Sequence, residues 1–191
     1  IPSSISVIDD YCFYGCTSLS SISIPSSVRV IGECCFGECY NLTNLVIDPQ
    51  NKYYSYEHGV IFNKTKSVIV MYLCGNRITS YSIPSTVSVI GDYCFSFCSS
   101  LTSIFIPSTI SVIDDFCFND CSSLSSISIP SSVSMIGGSC FYECFSLSSI
   151  TIPSSISMIG YRCFYGCLSL SSISIPSSIS VIDDYCFYGC T

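Results

Sequence analysis

The chain has 191 residues, 49% of them hydrophobic and only 10% charged, with six Lys and Arg against thirteen Asp and Glu. A net charge of −7 leaves no phosphate-neutralising stripe for nucleic acid, and so apolar a chain is not a disordered one. Mean hydropathy is +0.58, yet the longest apolar run, Val68–Cys74, has seven residues, where a membrane-spanning helix needs about 20.

Repetition organises everything else. Ile-Pro-Ser recurs with proline at 2, 25, 84, 107, 130, 153 and 176, and Cys-Phe recurs with cysteine at 12, 35, 94, 117, 140, 163 and 186. Both series advance by 23 residues except for one step of 59, which holds a regular unit and a longer one. Residues 1–17 and 175–191 are identical, and no targeting leader is visible. The sequence therefore reads as a segment of a longer array, whose ends invite end-to-end self-association.

Along a regular unit the elements come in a fixed order. In Ser103-Ile104-Phe105-Ile106 the two isoleucines fall on alternate positions, the pattern of a short strand with one buried face. Pro107 stops the ladder because it has no N–H to donate, and Ser108-Thr109 supplies a turn. Ile113, Cys117, Phe118 and Cys121 then recur at helical spacing, which predicts a short helix opened by Asp114 and Asp115. One unit buries about seven to nine apolar side chains, roughly 1.5–3 kcal/mol each, against an ordering cost near 35 kcal/mol at about 1.5 kcal/mol per residue. Single units cannot fold, so neighbours must stack into a solenoid. The expected architecture is an α/β repeat solenoid, one domain over residues 1–191, with a parallel sheet on one side and short helices on the other.

The unit L-x-x-I-x-I-P-x-x-V-x-x-I-G-x-x-C-F-x-x-C resembles the BspA-like leucine-rich repeat of bacterial and parasitic-protist surface proteins, over essentially the whole chain. The sequence departs from that pattern in placing cysteine where the family commonly has alanine. The resemblance implies a leucine-rich-repeat fold and a cell-surface or secreted adhesion protein with a protein ligand, such as a host matrix or cell-surface protein. The long unit, 46–83, is similar to the family's I-D-P-x-N unit. Within it Gly59–Phe62 and Ser67–Val70 read as two strands joined by the turn Asn63–Lys66, a hairpin. Four of the six basic residues lie here, Lys52, Lys64, Lys66 and Arg77, against Asp48 and Glu57, so this segment alone is locally positive.

Catalysis finds little support. A Cys–His or Ser–His pair would have to use the single histidine, His58, in a Tyr- and Gly-flanked loop. No Gly-rich phosphate loop follows a strand, and no cofactor, metal or catalytic residue is expected. Fourteen of the sixteen cysteines form seven C-x-x-x-C pairs. They read first as buried free thiols packed like small apolar groups, with cross-coil disulfides and zinc as the other readings. Cys34 and Cys74 fall outside the repeat phase and are the expected exposed or reactive thiols.

Recognition is expected on the surface. Outward positions of the strands form two hydroxyl-rich columns, one passing through Ser23, Val46, Ser82, Phe105, Ser128, Thr151 and Ser174. Phe105 interrupts it as an aromatic anchor, with Ser128 and Thr151 beyond. Tyr53, Tyr54 and Tyr56, with Lys64 and Lys66, mark the irregular unit as the best recognition patch. Asn41 and Asn63 begin N-x-Thr sequons open to glycosylation in a secreted protein. A self-assembling structural protein and an intracellular protein-binding repeat remain the alternatives, the latter because sixteen thiols suit a reducing compartment.

Overall fold

A small polar residue alternating with isoleucine favours an extended strand with one face buried, and the following proline ends it. In the structure, a computed structural model that describes residues 1–191, these stretches form strands Ser21–Ile24, Asn44–Ile47, Ser80–Ser82, Ser103–Phe105, Ser126–Ser128 and Ser149–Thr151. They stack in parallel along one face of a solenoid of about eight coils. The register sets Phe105 beside Ser82 and Ser128, and Ser128 beside Thr151. Ile104, Ile127 and Ile150 point inward and are buried, while the intervening serines are exposed.

The turn after each proline is closed by its own backbone: the amides of Val28, Val87, Ile110 and Val133 return to the proline carbonyls at 3.0–3.2 Å. The hydroxyl residue two places after the proline has a structural task. Ser27, Thr109, Ser132 and Ser178 each donate to a carbonyl of the preceding coil, at 2.6–2.8 Å. Part of the serine content is therefore stitching between coils. Two-residue strands follow and pair two by two, Val7–Ile8 with Val30–Ile31 and Val112–Ile113 with Met135–Ile136.

The expected short helices are not there. The segments around each Cys-Phe are consecutive tight turns, and the one helical element of the chain is a single 3-10 turn, Cys74–Asn76. Two residues per coil adopt left-handed φ, for example Phe116 at 54° and Asp120 at 58°, which no helix tolerates in this rhythm.

 The next coil repeats the rhythm at Ser139 (52°) and Glu143 (55°). Amides that a helix would turn back on itself point along the solenoid axis instead. Phe95, Phe118, Phe141 and Phe164 each donate to the cysteine carbonyl of the next coil, at 2.8–2.9 Å. A nine-residue helix is marginal alone, whereas these turns gain a partner coil on either side. The apolar spacing that suggested a helix is also met by two successive turns. The aspartates change role accordingly: Asp10 accepts the amide of Glu33 at 2.8 Å and Asp115 that of Gly138 at 2.7 Å, both in the following coil.

The interior is built of columns. Phe95, Phe118, Phe141, Phe164 and Phe187 stack at centroid spacings of 5.4–5.5 Å. In the long unit Tyr72 takes the phenylalanine slot, 5.3 Å from Phe95, and its amide bonds the Cys94 carbonyl. All sixteen cysteines are free, and fourteen of them, from Cys34 on, lie inside or at the edge of the core. In five of the seven pairs the second thiol donates to a phenylalanine carbonyl one coil back, as Cys121 does to Phe95 and Cys144 to Phe118, at 3.1 and 3.2 Å. Alanine has no such donor.

The main sheet has one break. Asn44–Ile47 pairs only with Ser21–Ile24, and the sheet resumes at Ser80–Ser82. Between them the long unit forms a three-stranded antiparallel meander, Tyr54–Glu57, Val60–Asn63 and Val68–Tyr72, whose last strand runs parallel to Val89–Ile90. The expected hairpin is present, and Tyr54–Glu57 is an additional strand. The meander divides the core: Ile61, Met71 and Leu73 pack with the coils before it, and Val60, Phe62, Ile69 and Tyr72 with those after it.

Candidate functional site: a cleft at the break in the sheet

The break leaves strand Asn44–Ile47 with one unpaired edge. The amides of Asn44 and Asp48 bond back to Ser20 and Ile24, at 3.2 and 2.9 Å. Alternation along a strand then turns the N–H and C=O groups of Leu45 and Ile47 the other way, toward a cleft of about 310 Å³. Five consecutive residues, Leu45 to Pro49, line this cleft with Tyr54, Ser55, Tyr56 and Lys64. Inward and outward residues of one strand both line it, so the cleft runs along the backbone edge.

One buried side chain holds the far wall. Asn51, 1% exposed, donates to the carbonyls of Pro25 and Val28 at 3.0 and 2.8 Å and accepts the amides of Tyr53 and Tyr54 at 2.8 and 2.9 Å. It replaces the hydroxyl that ties other coils at this point. Tyr54 is fixed again through its phenol, which donates to Arg29 O at 3.2 Å and accepts the Ile31 amide at 3.1 Å; burial raises its pKa. The Ser55 hydroxyl is buried with no partner.

The turn 63–66 carries the basic groups. Asn63 shapes it, its Oδ1 accepting the amides of Ser67 and Val68 and its Nδ2 donating to Ser67 Oγ. Lys66 is engaged with Glu57 at 2.5 Å, and that contact lowers the Glu57 pKa. Lys64 is exposed, forms no ion pair and faces the cleft.

Of the expected recognition residues, Tyr54, Tyr56 and Lys64 thus meet in one cleft. Tyr53 is exposed but does not line it, and Lys66 is held by Glu57. Phe105, 63% exposed, lies on the main sheet in a smaller depression of about 260 Å³ shared with Ser128, and Thr151 continues that row. Val46 belongs to the same row across the break and lines the cleft. Both sequon side chains are used within the fold, Asn63 as above and Asn41 through Nδ2 to the Thr17 carbonyl at 2.8 Å. His58 is exposed and sits at a turn with φ 49°. Asn51, Tyr72 and the free edge were missed. The I-D-P-x-N run was the available signal for Asn51.

The two out-of-phase cysteines are not exposed. Cys34 is 2% exposed. Tyr11 and Tyr14 extend past it to Tyr93 and Phe97, with centroids 5.8 and 5.6 Å apart, and cover it; burial pushes its thiol up to about 12. Cys74 is buried beside a second cleft of about 310 Å³ with Tyr40 and Arg77. Its thiol differs from the other buried ones: the neighbouring Cys98 thiol lowers its pKa, while burial pushes Cys98 well above the ordinary value.

A stack of coils with a row of short parallel strands on one side, closed by loops and turns around an isoleucine-leucine core, defines the leucine-rich-repeat class. The chain belongs to the family described as BspA type leucine rich repeat region, whose model matches residues 1–73 and 69–191 in six copies. The fold is similar to a leucine-rich repeat protein from Eubacterium ventriosum, with a TM-score of 0.76 and 26% identity over 100% of this chain and 63% of that one. It is also similar to a leucine rich cell surface protein from Faecalibacterium prausnitzii, with a TM-score of 0.74 and 27% identity over 93% of this chain and 53% of that one. The chain therefore spans less than two thirds of either structure. No curated protein matches the sequence. No helix is long and apolar enough to cross a membrane.

Proposed function

We propose that this chain is a non-enzymatic protein-interaction scaffold that acts at the cell surface in adhesion, binding a protein ligand through the cleft at the sheet break. The single observation that carries the reading is the convergence of Val46, Tyr54, Tyr56 and the unpaired Lys64 on one cleft in an otherwise regular array. Aromatic residues beside a cation are the composition of interface anchors. The row through Phe105, Ser128 and Thr151 supplies secondary contacts. Membership of a leucine-rich-repeat family supports the scaffold role, and the similarity to the Faecalibacterium cell surface protein supports the location. Glycans at Asn41 and Asn63 and end-to-end self-association belong to the same surface reading.

The test is binding to a panel of purified matrix and cell-surface proteins, with the chain as it stands and with residues 48–80 exchanged for a regular unit. The exchange is expected to abolish capture. Equal capture by both forms refutes the placement of the site.

A further inference from the structure

The two-residue strands carry a second row on the surface. Their inner residues, such as Ile90 and Ile113, are buried, yet the outer ones are apolar too: Val30, Val89 and Met135 are 43%, 46% and 42% exposed. Register carries the row from coil to coil, Val68 beside Val89 and Val112 beside Met135. A contiguous exposed apolar row marks a contact surface. Acids run beside it. Glu33, Asp92 and Asp114 come from three coils and line one depression of about 260 Å³. Asp114 also lines the next, of about 370 Å³, with Val89, Val112 and Met135, so the two form one groove. We propose that this groove takes a basic amphipathic helix of a protein partner, its apolar stripe on Val89, Val112 and Met135 and its Lys or Arg side chains against Glu33, Asp92 and Asp114.

Charge selects the partner. No cation of the chain pairs with these three acids, since its one ion pair joins Lys66 to Glu57. Partial burial and then neighbouring carboxylates raise the pKa of Glu33 and of Asp114, so the groove holds negative charge that an incoming cation relieves. A second copy meeting the same face would set carboxylate against carboxylate, and an anionic surface is repelled. Spacing selects the helix. Coils repeat at about 4.8 Å and helical turns at about 5.4 Å, so over the two steps from Val89 to Met135 the mismatch is about 1 Å. Same-face residues of an extended segment lie about 6.7 Å apart and are about 4 Å out over that span. A helix laid in a groove by one apolar stripe is a recurrent recognition mode. The groove shares no lining residue with the cleft at the sheet break and takes a ligand of opposite charge, so the two sites are tested separately.

The probe is a labelled synthetic peptide of about 18 residues, long enough to be helical once bound, with leucine at every third or fourth position and lysine on both flanks. Fluorescence anisotropy follows its binding to the chain, and far-ultraviolet circular dichroism follows its helix content. Binding with a gain of helix is expected, and glutamate in place of the peptide's lysines weakens it by about tenfold or more. On the protein, Asp92→Asn with Asp114→Asn, and separately Val89→Ser with Met135→Ser, each weaken binding by about tenfold. Thermal melts check that both double variants remain folded; the peptide changes probe the same contacts with the protein unaltered. Absence of binding overturns the proposal. So does equal binding of a shuffled peptide of the same composition, or indifference to either double variant, since charge alone is then at work. Binding without a gain of helix overturns the helix.

Discussion

Replacing Asn51 with alanine tests the reasoning where fold and site meet. The side chain makes two donated and two accepted hydrogen bonds while 1% exposed. Pro25 O keeps the amide of Val28 as a second donor, but the Val28 carbonyl loses its partner in a buried setting. A net hydrogen bond is worth about 1 kcal/mol, and an orphaned buried acceptor costs about 1–3 kcal/mol. Allowing for water reaching the Tyr53 and Tyr54 amides, the loss is about 3–4 kcal/mol. Asn51→Asp, nearly identical in shape, keeps both acceptor bonds but sets an oxygen against two carbonyls, so it is at least as destabilising as alanine. Urea unfolding followed by circular dichroism measures both. A loss below about 1 kcal/mol for Asn51→Ala, or a well-tolerated aspartate, refutes the role of this side chain as the tie between the meander and the preceding coils.

Other outcomes follow from the columns. Phe118→Ala removes a fully buried ring stacked between Phe95 and Phe141 and is expected to cost about 3–5 kcal/mol; unchanged urea stability contradicts the packing. Burial holds the thiols of Cys94, Cys117, Cys144 and Cys163 well above their ordinary pKa. Unfolded cysteine titrates near 8.5, so stability is full below that pH and falls above it by about 1.4 kcal/mol per pH unit for each such thiol. A urea midpoint in reducing buffer that stays flat to about pH 10 refutes this. Alkylation of the native protein followed by mass spectrometry is expected to label exposed Cys12 and Cys16 first, Cys74 more slowly, and Cys34 not at all. Rapid labelling of Cys34 contradicts its cover by Tyr11 and Tyr14.

The sequence alone determined the repeat, its inward isoleucines, the buried Cys-Phe columns, the exposed row through Phe105 and the hairpin at 60–70. Each follows from residue type and local period, because strand alternation and proline are properties of a few neighbouring residues. Tertiary structure decided the rest. Helix and stacked turn place Cys117, Phe118 and Cys121 on the same face, and the choice between them turns on amides that find partners one coil away. Cys34 looked exposed because it broke the phase, yet tyrosines from other coils close over it. The free edge at Leu45 and Ile47 is visible in no residue of that strand, since it exists only because the inserted meander keeps the next coil from pairing.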